Sequence, residues 1–374
     1  MKVQLYYRHV LSAFQMLDRL LKGRNLSHLP PVVVAPRNGK LSVSAEANQI
    51  RLTVNIPVVG GDLSGEPLLI RPEQMQSVAE ALQAIKAEVV TLLEKDGLQI
   101  QSGPFVAKLD EIREEQRHHQ SDESLTNAVK VADANIEQLE DAFRFVDFFL
   151  GKQDRFYLYG DSDVLWVIST DSYRAGLVSI RGGGTLSASI GVEQALLIHA
   201  VMKDAKQFAK VTGRLPTVQL LDGNDFLLFR FCDDLIVLTT KKQNLTFKPE
   251  WSWLLREPEH WEARAVLDEK GASDIRNYLS RLSGDQVSLI VENQNLTLKA
   301  GISTIHAHAQ VEWGENPGRR MEMLFNRKYL ADAFRAFKHQ PIRITFKNPI
   351  SPICISSQRD DETRLHWLMP IISN

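Results

Sequence analysis

Six stretches of this chain place apolar residues at i, i+3 and i+4, and each is followed by short segments that alternate apolar and polar residues. That recurrence constrains the fold more than any other feature. A helix with one apolar stripe and a strand with one apolar face each need a second layer to cover them. The spacing predicts helices over 7–22 (Val10, Phe14, Leu17, Leu20, Leu21), 72–87 (Met75, Val78, Leu82, Ile85), 134–150 (Ile136, Leu139, Phe143, Val146, Phe149) and 192–211 (Leu196, Ile198, Val201, Phe208). Two weaker patterns lie at 271–282 (Ile275, Leu279, Leu282) and 328–338 (Leu330, Phe334, Phe337). Strands are expected after each: 41–44 and 50–56, then 89–93, 98–101 and 105–109, then 164–169 and 175–180, then 217–221, 226–231 and 235–239, then 287–291 and 296–300, then 342–346, 353–356 and 364–369. The turns Lys95-Asp96-Gly97 and Glu292-Asn-Gln-Asn295 separate two of these pairs.

The unit is thus one helix plus a small antiparallel meander, read about six times, and two units make a domain. The expectation is an α+β chain of three similar domains, 1–126, 127–256 and 257–374, each with two helices packed on antiparallel sheets. Two polar linkers mark the boundaries, Asp110–Asn127 and Leu255–Glu262.

Charge and cysteine content narrow the function. Lys and Arg number 44 against 46 Asp and Glu, so the chain as a whole is not a basic coat for nucleic acid, and any such affinity must come from local segregation of charge. Cys232 and Cys354 stand far apart, which excludes a disulfide framework and a cysteine-based zinc site. The first residues lack a continuous apolar run, and no long apolar stretch occurs elsewhere, so a cytoplasmic protein without membrane contact is expected.

Enzyme motifs are weak. Arg181-Gly-Gly-Gly-Thr lacks the ending of a phosphate loop and reads as an inter-strand loop. His306 and His308 alternate on a strand and point to one face, with no third ligand near. The acidic pairs at 161–163, 233–234 and 360–362 fall where turns are expected. No GxSxG elbow occurs, and both cysteines lie in apolar strand runs. No catalytic residue, metal ligand set or cofactor is expected.

Basic helix faces are a stronger signal. Lys203, Lys206 and Lys210 share one face, Arg335 and Lys338 share another, and Lys22 and Arg24 close the first helix. Cations spaced in this way neutralise phosphates without reading bases. The third helix disagrees, since Glu137, Glu140, Asp141 and Asp147 outnumber Arg144. The C-terminus, Leu365-His-Trp-Leu-Met-Pro-Ile-Ile, is a strand ending in an apolar tail, and can form one wall of a hydrophobic groove.

Taken together, Gln153-Asp-Arg-Phe-Tyr-Leu-Tyr-Gly160, Thr170-Asp-Ser-Tyr-Arg-Ala175, Phe325-Asn-Arg-Lys-Tyr-Leu-Ala-Asp332, Pro349-Ile-Ser-Pro-Ile353 and the Met369-Pro370 terminus resemble the bacterial sliding-clamp family, the beta subunit of DNA polymerase III. The resemblance runs in order over essentially the whole chain. It implies three clamp domains forming half of a ring, with a second copy completing it head to tail around duplex DNA. By resemblance the DNA-facing candidates are Arg24, Gln153, Phe156 and Tyr157, joined by Lys203, Lys206, Lys210 and Arg335. It also implies a pocket between the second and third domains for short linear peptides of a polymerase or clamp loader. Carried over by position, its first wall is Arg155, Leu158, Thr170, Ser172, Tyr173, Arg174, Pro249 and Leu254. The second is Ile350, Pro352, Trp367, Met369, Pro370 and Ile371. The homodimer edges would be Phe105, Ala107 and Leu109 on one side, and 304–312 with Leu279 and Leu282 on the other. The family's usual Thr-Asp-Gly-His-Arg-Leu is Thr-Asp-Ser-Tyr-Arg-Ala here, and Trp253 and Trp367 stand where smaller or basic residues are common. Two other readings stay open: a divergent clamp-like scaffold without stable DNA loading, and a metal-dependent hydrolase using the acidic turns or His306 and His308.

Overall fold

In the computed structural model, all six apolar patterns are helices, and each helix is preceded as well as followed by strand. The structure describes residues 1–112, 127–149, 155–243, 251–315, 318–359 and 362–372, apart from Lys86, Asp96 and Ser162. The first repeat is β1 (Lys2–Tyr6), α1 (Tyr7–Leu21), β2 (Val32–Arg37), β3 (Lys40–Ala47) and β4 (Ile50–Asp62). The second is β5 (Leu68–Ile70), α2 (Glu73–Gln83), β6 (Val89–Glu94), β7 (Leu98–Ser102) and β8 (Phe105–Leu109). The third is β9 (Val129–Asn135), α3 (Ile136–Asp147), β10 (Arg155–Asp161), β11 (Val164–Thr170) and β12 (Arg174–Arg181). The fourth is β13 (Leu186–Gly191), α4 (Val192–Thr212), β14 (Thr217–Asp222), β15 (Phe226–Phe231) and β16 (Ile236–Lys241). The fifth is β17 (Ala263–Leu267), α5 (Glu269–Arg281), β18 (Gln286–Glu292), β19 (Asn295–Ala300) and β20 (Ser303–His308), with an extra β21 (Gln310–Trp313). The sixth is β22 (Met321–Asn326), α6 (Arg327–Ala336), β23 (Ile342–Phe346), β24 (Ile353–Arg359) and β25 (Glu362–Leu368).

The leading strand of each repeat explains why repeats come in pairs. It does not join the meander that follows its own helix alone; it pairs with the other meander of the couple. Thus β5 pairs β2 while β1 pairs β6. Likewise β9 pairs β14 while β13 pairs β10. In the last couple β17 pairs β23 while β22 pairs β18. A repeat that lent its strand away would leave a ladder of unsatisfied N–H and C=O groups, so neither partner of a couple is complete alone.

The sequence expectations omit these leading strands, and in four of the six no residue separates strand from helix. Tyr6 ends β1 and Tyr7 begins α1, and Asn135–Ile136, Gly191–Val192 and Asn326–Arg327 are equally abrupt. At the last of these, Asn326 is the N-cap, and its Oδ1 accepts from the Tyr329 N–H at 3.2 Å. Asp268 does the same for α5, accepting from the Gly271 N–H at 2.7 Å.

The chain forms two compact units, residues 1–140 with 193–242 and residues 141–192 with 243–374. The first holds a twelve-stranded sheet with the path β8-β7-β6-β1-β4-β16-β15-β14-β9, in which β2, β3 and β5 branch from β4. The second holds a nine-stranded sheet, β13-β10-β11-β12-β25-β24-β23-β17-β21, and a four-stranded sheet, β20-β19-β18-β22. Pairing is antiparallel in each sheet. Helix stripes cover one sheet face: Val10, Ala13, Phe14, Leu17 and Leu20 of α1 are all sealed from solvent. Each of the larger side chains among them stabilises its unit by about 1.5–3 kcal/mol. The charged stretch 113–126 falls outside the described residues, and among the described residues no helix is long and apolar enough to cross a membrane.

Candidate functional site

The nine-stranded sheet carries an apolar cluster on one face. Register places Trp367 of β25 opposite Ala175 of β12 and Cys354 of β24, and Leu177 opposite Leu365 and Ile168. These six residues and Leu254 form one buried cluster, with Tyr157, Tyr159, Trp166 and Leu255 packed against it. Trp367 is only 7% exposed, and its indole N–H donates to the Leu254 carbonyl at 2.9 Å. This satisfies the polar end of a buried tryptophan and fixes the 254 segment to the sheet.

Large apolar groups stand above this floor. Trp253 is half exposed and meets Trp367 edge-on, with centroids 5.5 Å apart. Tyr173 is 62% exposed, and its carbonyl accepts from the Met369 N–H at 2.9 Å, so the Tyr173 turn lies beside the C-terminal tail. Met369, Ile350 and Ile372 are exposed, Pro352 is half-buried and Pro370 buried. The Ile371 N–H donates to the Leu324 carbonyl at 2.7 Å and ties the tail down. An apolar floor rimmed by exposed Trp, Tyr and Met has the residue types that suit the apolar anchors of an extended peptide. Leu254 and Trp367 share the buried cluster, Tyr173 with its neighbours Thr170 and Ser172 lies beside Met369 and Pro370, Ile371 is tied to Leu324, and Ile350 and Pro352 stand in the turn that leads into β24. Arg155 is placed by its backbone pairing with Thr170. Pro249 and Gln153 lie outside the described residues.

Strand parity corrects three expectations on β10. Phe156 is 1% exposed and stacks on Phe143 of α3 at 5.4 Å, so it is core and cannot face DNA. Leu158, two residues on, shares that face and is also buried, which takes it out of the pocket. Tyr157 points the other way, to the pocket cluster. Tyr159, at the next outward position, is a pocket-side residue that sequence reasoning misses; the alternation Tyr157-Leu158-Tyr159 is the signal for it.

Arg174 is engaged within the hairpin that carries Tyr173. It is 7% exposed and held between two carboxylates, with Nε 2.9 Å from Asp171 Oδ2 and Nη1 2.9 Å from Asp332 Oδ2. Its guanidinium lies over the Tyr329 ring at 4.2 Å. A cation so engaged positions the hairpin rather than greeting a ligand. Asp171 Oδ1 accepts from the N–H groups of Tyr173 and Arg174, and the Thr170 hydroxyl donates to the Arg174 carbonyl at 2.8 Å. Ser172 takes the left-handed conformation at the tip, φ +73°. The result is a stiff turn that presents Tyr173.

On the opposite face of the same sheet, His366 is sealed from solvent and stacked on Phe149 at 4.2 Å. Burial, with the nearby Arg174 charge, pushes its pKa down from 6.5 to about 3. The unfolded chain therefore binds a proton near pH 6.5 that the folded chain refuses. Stability from this group is complete above pH 6.5 and falls as pH drops toward 3, with a slope of about 1.4 kcal/mol per pH unit. Denaturation of the chain at pH 5 is expected to show roughly 2 kcal/mol less stability than at pH 7, and His366→Leu is expected to flatten that interval.

The basic helix residues separate into two kinds. Lys203 and Lys210 of α4 are exposed. Lys206 is not a free cation: its Nζ is 2.5 Å from Oε2 of Glu140, and Glu140 is 2% exposed. It ties Glu140 to α4 within the first unit, while its side chain stays 27% exposed. Arg19 likewise holds Asp204 at 2.8 Å. Arg24 donates from Nε to the Leu20 carbonyl at 2.6 Å and caps α1. Arg335 is half exposed on α6 and lies 3.4 Å from Asp332.

Among the described residues each sheet ends in strands paired on one side only: β8 and β9, β13 and β21, and β20 and β22. β8 closes one end of the twelve-stranded sheet and β20 one end of the four-stranded sheet. On β8, Phe105 and Ala107 are half-buried and Val106 is 56% exposed. Leu109 and Leu279 are both 0% exposed and belong to the cores of their own units, so neither can form a dimer contact. Leu282 is half-buried just past α5. His306 and His308 are exposed on β20, and His306 Nδ1 is 2.9 Å from the Thr297 hydroxyl. No group of three potential metal donors stands together among the described residues.

Comparison with known proteins places this geometry. Residues 272–371 match the family described as DNA polymerase III beta subunit, C-terminal domain. Over 100% of both chains, the fold superposes on the DNA polymerase III beta subunit of Thermotoga maritima with a TM-score of 0.74 at 16% identity. The DNA polymerase sliding clamp from Caulobacter crescentus gives 0.75 at 16%, and the DNA polymerase III subunit beta from Pseudomonas aeruginosa 0.76 at 15%, both again over the full length of both chains. A search of curated protein sequences finds no match.

Proposed function

We propose that this chain, which has the sliding-clamp fold throughout and matches the DNA polymerase III beta subunit over 272–371, is a DNA sliding clamp. The full-length agreement of fold is the observation that carries the reading. It is supported by the three couples of repeats that exchange leading strands, which suit three domains at 1–126, 127–256 and 257–374. The function is topological and involves no bond-making: a closed path around duplex DNA keeps a tethered polymerase at high effective concentration. Sliding asks for contacts that are electrostatic and indifferent to sequence, and Lys203, Lys210, Arg24 and Arg335 can supply them.

Two copies close the path if β8 of each pairs with β20 of the other. Both edges are open, and a head-to-tail dimer satisfies both ladders at once. Polymerase and clamp loader would dock short peptides on the Trp253–Tyr173–Met369 surface, in the cytoplasm where DNA is replicated. The larger aromatic rim favours apolar anchors and differs from the smaller groups usual in the family.

Retention on a nicked circular duplex tests this reading. After loading, the protein is expected to stay with the circle through a high-salt gel filtration and to dissociate when the circle is cut once. Equal retention on circle and line would mean ordinary binding and would remove the clamp reading in favour of a scaffold.

A further inference from the structure

Asp332 of α6 offers one carboxylate to two guanidinium groups. Oδ2 lies 2.9 Å from Nη1 of Arg174, and Oδ1 lies 3.4 Å from Nη1 of Arg335. The two arginines belong to different surfaces. Arg174 is nearly buried and ends the turn that holds Tyr173 outward beside Met369. Arg335 is 51% exposed on α6. The carboxylate itself is only 12% exposed, so little water screens it from the Arg174 side.

We propose that Asp332 couples the DNA surface to the partner pocket. The proposal rests on the clamp reading, since it takes Arg335 to face phosphate and Tyr173 to face a partner peptide. The Arg335 contact is long and exposed, and an exposed pair of that kind exchanges readily for another anion. A backbone phosphate near α6 draws Arg335 away. Asp332 then bears on Arg174 alone, and the repulsion between two guanidinium groups on one carboxylate is relieved. Arg174 is also fixed by Asp171 and by the Tyr329 ring, so its tighter hold is passed to the 170–174 turn and not dissipated as side-chain motion. A turn held more firmly presents Tyr173 with less ordering left to do on binding, which raises affinity for the peptide. By linkage, a bound peptide raises affinity for DNA by the same factor. A chain so built grips partners better on DNA than free in solution. Arg174 and Asp332 are positioning residues in this scheme and touch neither ligand.

Amide exchange reads the turn directly. The N–H groups of Tyr173 and Arg174 both donate to Asp171 Oδ1, at 3.1 and 3.0 Å. In the full-length protein, saturation with a short blunt duplex of random sequence is expected to slow exchange at these two amides about two- to fivefold, the scale of one exposed ion pair. Arg335→Gln, which removes one proposed phosphate contact and keeps Lys203 and Lys210, is expected to bind the duplex more weakly and, once brought to the same saturation at higher duplex concentration, to show no slowing. Asp332→Asn is expected to exchange faster without DNA and to be deaf to it. Equal slowing in Arg335→Gln would mean direct shielding by the duplex and would overturn the coupling. A bound duplex with no slowing in the wild-type chain would overturn it as well, while leaving the clamp reading in place. Failure of the wild-type chain to bind duplex at all would bring down both.

Discussion

Adding one methyl group at residue 176 is expected to cost the second unit about 3 kcal/mol of stability, a large effect for so small a change. Gly176 lies on β12, opposite His366 of β25 on one side and Ser169 of β11 on the other. A Cβ built there would stand 1.9 Å from Cδ2 of the Phe149 ring. Phe149 cannot yield easily. It is 0% exposed, edge-on to Phe145 at 5.4 Å and stacked on His366. The ring lies close against the sheet because residue 176 has no side chain, and the packing of α3 follows from that. Urea denaturation followed by tryptophan fluorescence, to which Trp166, Trp253 and Trp367 of this unit contribute, should show an earlier transition for Gly176→Ala. Phe149→Leu added to it should recover part of the stability, since the smaller side chain admits the methyl group. An unshifted transition in Gly176→Ala would mean that the ring moves freely, and the rigid support beneath the pocket would be gone with it.

The same residues show what the sequence can and cannot disclose. Helix stripes are legible because a 3.6-residue period needs only local information, and all six helices fall where the apolar spacing puts them. The leading strands are not legible. β1 has the alternating burial of a strand, yet it runs into α1 with no turn residue between Tyr6 and Tyr7, so its pattern merges with that of the helix. The pocket is half legible. Trp367, Met369 and Pro370 are neighbours along the chain and stay together in space. Tyr157 falls on the DNA side in the sequence and on the pocket side in the fold, because a strand's two faces cannot be told apart until the sheet it joins is known. Ion pairs such as Arg174–Asp332 connect residues 158 positions apart, and no spacing rule reaches that far. Lys206 is the clearest case, since its stripe with Lys203 and Lys210 is real, but a helix face shared with exposed lysines does not say which of them a neighbouring helix claims.

That claim has a measurable consequence. Lys206→Glu is expected to cost about 4 kcal/mol of stability before any DNA is added, because it sets a second carboxylate against one that is 2% exposed. The substitution removes an ammonium 2.5 Å from Glu140 Oε2, and His199, whose Nε2 stands 3.8 Å from Oε1, is charged only when protonated. Lys203→Glu with Lys210→Glu is expected to behave in the opposite way. Both side chains are exposed, so thermal stability should hold within about 0.5 kcal/mol. Duplex affinity should fall, and the slope of log affinity against log salt should flatten by about 0.9 for each phosphate no longer neutralised. Thermal melts and salt titrations of the two variants separate the roles. The neutral pair Glu140→Gln with Lys206→Met should restore most of the stability, since it removes both charges together. If instead Lys206→Glu melts like the wild-type chain and no longer binds duplex, the α3–α4 ion pair is not what holds these helices, and Lys206 belongs with Lys203 and Lys210 on the DNA side after all.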